Sequence, residues 1–171
     1  MSLSKLRGTV HKYGDNINTD IITPGKYMEL SIEAMAAHAM EGVDPEFSAK
    51  TKPGDILVAQ SNFGSGSSRE TAPLALKTAG IAAIVAQSYA RIFYRNAINL
   101  GLPALELAQA AEIQDGDILS IDLAQGVIEN ETQGTCYRFV PLPARLLSML
   151  EAGGLVAQLE QEGPSVPVNP K

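Results

Sequence analysis

One short segment constrains the fold of this chain more than any other. Residues 62–70 read Asn-Phe-Gly-Ser-Gly-Ser-Ser-Arg-Glu, between the apolar run 56–59 and a helix-compatible run over residues 71–79. Two glycines permit a tight turn, so the segment predicts a strand that passes directly into a helix. Backbone N–H groups at a helix start are unpaired, and the macrodipole is positive there. An anion-binding loop is therefore predicted at this turn.

The side chains of this loop favour a small acid as the anion. Ser67 and Ser68 offer hydroxyls, and Arg69 offers bidentate recognition of a carboxylate or a phosphate. A P-loop requires a lysine that this loop lacks. A dinucleotide fingerprint requires a third glycine where Arg69 stands. A nucleophile elbow requires glycine two residues on either side of a serine, and no serine here has both.

A structural alternative for the same loop is a helix capping box. Ser67 and Glu70 have the Ser-x-x-Glu spacing in which the serine caps the helix. Pro73 argues against this alternative, because a helix capped at Ser67 would place proline beyond its first turn, where it removes a hydrogen bond. Ser68 has the same alternative as a cap residue, and Arg69 that of a structural salt bridge.

Four ordered blocks carry a resemblance to a known family. They are residues 14–22, 54–59, 62–70 and 88–103, which read GDNINTDII, GDILVA, NFGSGSSRE and SYARIFYRNAINLGLP. Together they resemble the swivelling domain of the aconitase superfamily, specifically the small subunits of isopropylmalate isomerases and of their homoaconitase-like relatives. The resemblance implies an α/β fold with a βαβ core, helices and an antiparallel β extension.

The resemblance also implies a reaction and roles for the loop residues. Members of the family remove water from a hydroxy acid and add it back at the neighbouring carbon, through an alkene. The implied activity here is a hydro-lyase that interconverts 2-isopropylmalate and 3-isopropylmalate in leucine biosynthesis. By alignment, Ser67 is the base, acting as an alkoxide, while Ser68 and Arg69 hold a substrate carboxylate. A homoaconitase or dimethylmalate dehydratase small subunit and a non-catalytic small-acid binding module are the alternatives.

The family's reaction takes place on a [4Fe–4S] cluster, which this chain cannot hold by itself. Such a cluster needs three or four thiolates, and the chain has the single cysteine Cys136, expected as a structural residue of a strand. The two histidines, His11 and His38, lack metal-ligand spacing. We therefore expect no metal or cofactor on this chain, and a cluster-bearing large subunit as its partner in a heteromer.

Substrate choice is expected to depend on the segment that follows the Asn-Thr-Asp block. In the family this loop reaches toward the variable substituent, and relatives that act on a third carboxylate place an arginine there. The segment here is arginine-free and reads Tyr27, Met28, Glu29, Leu30. Met28 and Leu30 are apolar, which favours a substrate with a branched alkyl substituent. Asp20 is a further candidate substrate-binding residue, with an Asx-turn as its structural alternative.

Composition bounds the function classes. The 171 residues carry a formal net charge of −6. This argues against nucleic acid as a ligand, because the negatively charged phosphates bind preferentially to a basic surface. The apolar runs are shorter than a membrane span, and the first residues do not read as a signal peptide. These observations predict a cytoplasmic protein that binds neither nucleic acid nor membranes.

Local patterns predict one domain over residues 1–162 and a flexible proline-rich tail over residues 163–171. The helical spacing predicts a core position for Tyr89, Phe93 and Leu100. It predicts a solvated or salt-bridged face for Arg91 and Arg95, and the alternative is that one of them points toward the active site or the partner. Strands are predicted at 5–12, 55–60, 81–87, 104–107, 117–122, 126–129 and 135–140. Helices are predicted at 31–40 with Ser31 as N-cap, at 71–79, from a Ser88 cap to Asn99, and from Pro143 to Gly153, with a short helical stretch after it. A long loop is predicted over 13–30.

Overall fold

The centre of the fold is a seven-stranded sheet. A computed structural model describes residues 5–162 of the chain. In chain order, the strands are β1 (Lys5–Lys12), β2 (Ile56–Val58), β3 (Ala83–Ala86), β4 (Ala104–Glu106), β5 (Ile118–Asp122), β6 (Val127–Asn130) and β7 (Thr135–Arg138). Their order across the sheet is β4-β3-β2-β1-β5-β6-β7.

Strand β1 divides the sheet into two halves. On one side it pairs in parallel with β2, with Val10 opposite Ile56, and β2, β3 and β4 continue this parallel half. On its other side β1 pairs antiparallel with β5, with Lys5 opposite Asp122, and β6 and β7 continue as antiparallel hairpins. The predicted α/β core with an antiparallel extension is confirmed.

Helices connect the parallel strands and follow the last strand, β7. They are α1 (Thr19–Ile22), α2 (Ile32–Ala37), α3 (Phe47–Lys50), α4 (Thr71–Ala79), α5 (Arg91–Asn99), α6 (Ala144–Ala152) and α7 (Leu155–Glu162). Short 3-10 turns occupy Gly25–Tyr27 and Ala110–Glu112. Ser31 caps α2 as predicted, since its hydroxyl accepts from the N–H of Ala34 at 3.2 Å. Gly153 ends α6 in the left-handed conformation, as glycine allows.

Two expectations about local structure are wrong. The predicted loop over 13–30 contains α1 and a 3-10 turn, because Asn18 caps α1 by accepting from the N–H of Ile21 at 2.8 Å. Ser88 does not cap α5, which begins at Arg91 without a side-chain cap. The Ser88 hydroxyl instead accepts from the backbone N–H of Asn62 at 2.8 Å, so a tertiary contact replaces the local one.

The parallel half of the sheet is buried on both faces. Neighbouring residues of β2 alternate between two apolar clusters: Leu57 belongs to one cluster, whereas Ile56 and Val58 belong to the other. Helices α4 and α5 cover the first face, and the second face packs on the antiparallel strands. This explains the uninterrupted apolar runs of β2 and β3, which are typical of parallel strands covered on both sides.

The predicted tail over 163–171 lies outside the described residues, so the division into a domain and a tail stays a prediction. Among residues 5–162, none of the helices is long and apolar enough to cross a bilayer. The cytoplasmic location also stays a prediction.

A buried carboxylate fixes the turns of the antiparallel half. Asp117 is 5% exposed. Its Oδ2 accepts from the N–H of Gln114 at 2.8 Å, from Nδ2 of Asn130 at 2.8 Å and from Nε2 of Gln133 at 2.6 Å. Burial raises the pKa of this carboxyl, but these donors outweigh it and hold the pKa below its ordinary value. The carboxylate therefore stabilises the fold in its charged form.

We expect Asp117→Ala to lower the free energy of unfolding by about 1–3 kcal/mol at neutral pH, because three donors lose their acceptor. The folded-state pKa lies below the unfolded value of about 3.9, so this stability is present above that value and is lost as pH falls through the folded-state pKa. Denaturant unfolding of both proteins between pH 7 and pH 3 measures the difference. Glu129→Ala, an exposed position on the adjacent strand, is the control and should change little at any pH.

Candidate active site

Two loops meet at the carboxyl edge of the parallel strands. Four backbone hydrogen bonds join the segment after β1 to the segment after β2: Gln60 N–H to Gly14 O at 3.2 Å, Asn16 N–H to Ser61 O at 2.9 Å, Gly64 N–H to Ile17 O at 2.7 Å, and Thr19 N–H to Ser65 O at 2.8 Å. We call this set the loop zipper. It brings the Asn-Thr-Asp block against the Gly-Ser loop.

Gly64 is required by the shape of this loop. Its φ is +81°, and a Cβ at this position would lie 2.1 Å from Cγ of Phe93. The ring of Phe93 also packs edge-on against Phe63, with ring centroids 5.1 Å apart. A residue with a side chain would therefore be strained and would collide with the ring. The glycine lets the loop lie directly on helix α5.

Ser67 is exposed at this edge, and its hydroxyl has a partner within the chain. Ser67 Oγ lies 3.2 Å from Thr19 Oγ1, and Thr19 is 3% exposed. The capping-box alternative is wrong, because the N-cap of α4 is Glu70, without any side-chain cap bond. Pro73 thus falls in the first turn of α4, where its missing N–H costs no helical hydrogen bond.

Arg69 is held by the Asn-Thr-Asp side of the site. Its Nη1 donates to the carbonyl of Thr23 at 3.1 Å and lies 3.6 Å from Oδ1 of Asp20. Asp20 also accepts from the N–H of Gly25 at 3.1 Å, a contact that shapes the loop but spans five residues, so it is not the Asx-turn given as the structural alternative. The Asp20 side chain is 72% exposed, so this ion pair contributes little energy and mainly orients the guanidinium.

The remaining groups of the loop are open toward solvent. Within the described residues, the backbone N–H groups of residues 66–70 donate no hydrogen bond, and the Ser68 hydroxyl has no partner. Cavities of about 720 and 750 Å³ lie elsewhere on the molecule. Unpaired N–H groups at a helix start beside an arginine can bind a carboxylate. Here these groups lie on an open surface.

The structure separates the four residues of the predicted substrate segment. Met28 lies at the start of α4, where its Sδ is 3.9 Å from Thr71 Oγ1. Tyr27 turns to α2 and stacks on His38, with ring centroids 3.9 Å apart. Its hydroxyl is also the main cause that lowers the pKa of Glu41. Glu29 is exposed, and Leu30 is 45% exposed.

Helix α5 adds an exposed face beside the loop. A β-bridge between Phe63 and Tyr89 places the start of this helix next to the Gly-Ser loop. Arg91 and Arg95 are both exposed, as the spacing predicts, and neither forms an ion pair among residues 5–162. Phe93 is buried in the core, whereas Tyr89 is partly buried and packs against it.

The sequence analysis missed Thr19 and Thr23 as members of the site. Both are buried, and both act on the loop through contacts between residues 46 or 48 positions apart. The one sequence feature that could have indicated them is their position close to Asp20, a candidate substrate-binding residue. Sequence alone gives no partner for either of them.

Metal ligands do not gather anywhere in the described part of the chain: residues 5–162 contain no group of three or more His, Cys, Asp or Glu side chains able to hold an ion. Cys136 lies in β7, as predicted, and is exposed there. One thiolate does not suit an iron–sulfur cluster.

Comparison with known proteins identifies the class of this fold and site. The profile of the aconitase C-terminal domain family matches residues 4–110. The chain belongs to this family.

Its relatives are small subunits. The chain is 52% identical over 155 residues to the 3-isopropylmalate dehydratase small subunit of Nautilia profundicola, which covers 90% of this chain and 93% of that protein. It is 54% identical over 152 residues to the methanogen homoaconitase small subunit of Methanothermobacter thermautotrophicus, which covers 88% of each. The crystal structure of 3-isopropylmalate dehydratase from Methanocaldococcus jannaschii matches with a TM-score of 0.87 and 43% identity, over 92% of this chain and 95% of that one.

We expect Gly64→Ala to destabilise the fold by about 1–3 kcal/mol, because the added methyl group requires both a strained backbone and displacement of the Phe93 ring. Gly14→Ala is the matched control, since a Cβ there meets nothing within 4 Å. Denaturant unfolding of the two variants measures the difference. Equal stabilities would contradict the placement of the loop on α5.

Proposed function

We propose that this chain is the small subunit of a heteromeric 3-isopropylmalate dehydratase, a hydro-lyase that interconverts 2-isopropylmalate and 3-isopropylmalate through an alkene. One observation carries the proposal: an exposed serine, Ser67, is hydrogen-bonded to a buried hydroxyl and stands beside Arg69 and unpaired backbone N–H groups at the start of α4. The names of the relatives support the same activity.

In the proposed reaction, Ser67 acts as the base. Its alkoxide takes the proton α to a substrate carboxylate, and the C–H electron pair forms the double bond. The hydroxyl on the neighbouring carbon leaves with the electrons of its C–O bond. The proton that converts it to water is balanced by the one that Ser67 gave up when it formed the alkoxide. Addition of water in the opposite sense places the hydroxyl on the other carbon. Arg69 and the N–H groups of the loop hold the carboxylate and stabilise negative charge.

The site is half of an active site. Ser67 and Ser68 are exposed, whereas dehydration needs an enclosed site that excludes bulk water. We place the [4Fe–4S] cluster of the family's reaction on a large subunit that covers this edge, since the single cysteine of this chain cannot hold it. The relatives' designation as small subunits supports such a partner.

The substrate class follows from the segment after α1. Met28 contacts the first residue of α4, and Leu30 presents its side chain two residues further on. A third carboxylate would require a cation here, and Lys26 lies instead over the ring of Tyr27, 5.0 Å from its centroid. Glu29 is exposed. This environment favours a branched alkyl substituent, although the 54% identical homoaconitase small subunit keeps a tricarboxylate as the competing hypothesis.

We expect Ser67→Ala to lower kcat of the reconstituted enzyme by about 10²- to 10⁴-fold, the range for loss of a general base. The assay mixes this chain with a cluster-loaded large subunit and follows alkene formation. Mass measurement of the active species should show two chain types, and this chain alone should be inactive. Ser48→Ala, on α3 away from the loop, is the control. Near-normal turnover of Ser67→Ala with intact assembly would refute the base assignment.

We expect the assembled enzyme to have a higher kcat/KM for isopropylmalate than for citrate or homoaconitate. Loss of apolar contact in Leu30→Ala should lower kcat/KM for isopropylmalate by about 10-fold or more, since one such pocket contact is worth about 1–3 kcal/mol. Glu29→Gln, next in sequence and exposed, should change it little. A higher kcat/KM for a tricarboxylate would contradict the alkyl assignment and favour a homoaconitase.

A further inference from the structure

We propose that Thr19 is a positioning residue for the reaction: its buried hydroxyl donates a hydrogen bond to Ser67 Oγ and stabilises the alkoxide. The inference rests on the proposed function, in which Ser67 is the base. Its evidence is the 3.2 Å contact between the two hydroxyl oxygens. Either oxygen can be the donor while Ser67 is protonated. Once Ser67 is an alkoxide it can only accept, so Thr19 must then donate.

The hydroxyl of Thr19 is available for the hydrogen bond to Ser67. Thr19 is 3% exposed, and among the described residues its side-chain oxygen makes no other hydrogen bond. A buried hydroxyl without a partner is costly, so this oxygen is committed to Ser67. Its burial also strengthens the interaction with a negative charge, because water does not screen it from that side.

The backbone of Thr19 is fixed from both directions. Its N–H donates to Ser65 O at 2.8 Å, within the loop zipper. Its carbonyl accepts from the N–H of Thr23 at 2.8 Å and from Thr23 Oγ1 at 3.1 Å. Asn18 caps the same helix turn. A β-branched side chain on a fixed backbone has few rotamers, so its hydroxyl is held in place before the reaction begins.

The backbone of the Gly-Ser loop passes close to the Thr19 hydroxyl. A Cβ built on Gly66 would lie 3.1 Å from Thr19 Oγ1, so the backbone one residue before Ser67 passes directly over this hydroxyl. Serine at position 19 would keep the donor and lose some of its orientation. Valine would keep the shape and lose the donor. These two substitutions separate hydrogen bonding from packing.

The test compares Thr19→Val and Thr19→Ser in the enzyme reconstituted with its cluster-loaded large subunit. Without this hydrogen bond a smaller fraction of the enzyme has Ser67 in its alkoxide form, which predicts a fall in kcat of about 10- to 100-fold for Thr19→Val. KM should change little, because Thr19 does not contact the substrate carboxylate. The acid limb of the kcat/KM profile should move to higher pH, since the serine anion becomes harder to form. Thr19→Ser should recover most of the activity.

A double-mutant cycle keeps this inference separate from the proposed function. If Thr19 acts through Ser67, Thr19→Val should cause no further loss in the Ser67→Ala background. An inactive Ser67→Ala enzyme together with a normal kcat and pH profile for Thr19→Val would overturn the role of Thr19 alone. A fully active Ser67→Ala enzyme would overturn the proposed base. Equal losses from Thr19→Val and Thr19→Ser, without a pH shift, would indicate a packing role and would also overturn the inference.

Discussion

The site depends on the loop zipper, the four backbone hydrogen bonds between the segments that follow β1 and β2. These strands are parallel neighbours, so their connecting loops leave the sheet at the same edge. The hydrogen bonds of the loop zipper fix the register between the two loops, with Ile17 opposite Gly64 and Thr19 opposite Ser65. Residues 48 positions apart in sequence thereby come within hydrogen-bonding distance. The orientation of Arg69, through Thr23 and Asp20, depends on the same register.

The sequence predicts the elements of this fold well where the pattern is set by burial. Strands covered on both faces read as short apolar runs, and the antiparallel strand Ile118–Asp122 alternates between buried and partly buried positions. Prediction fails where a side chain that could cap a neighbouring helix forms a hydrogen bond with a residue distant in sequence instead. Ser88 has the position of a helix cap, yet its hydroxyl is taken by the N–H of Asn62. The four-residue helix α1 is too short to produce a periodic pattern.

The candidate site likewise contains residues that a local sequence pattern identifies and residues that only a contact between two loops identifies. Ser67, Ser68 and Arg69 were identifiable because they follow one another in a glycine-containing turn whose physical consequence, an anion site, is local. Thr19 was not, since its significance lies in an oxygen contributed by a different loop. Asp20 was identified, but its observed contacts are to Gly25 and Arg69. In the segment after α1, Met28 contacts the first residue of α4, while Tyr27 stacks on His38 at the end of α2.

The central place of β1 in the sheet has a consequence for biosynthesis. The first strand of the chain forms the seam between the parallel and antiparallel halves, with Lys5 opposite Asp122. During translation, β1 can pair with β2 early, but its other edge has no partner until β5 leaves the ribosome. An unpaired strand edge invites pairing with other chains, and such long-range pairing is slow. We therefore expect nascent or truncated chains that end before residue 118 to be prone to aggregation.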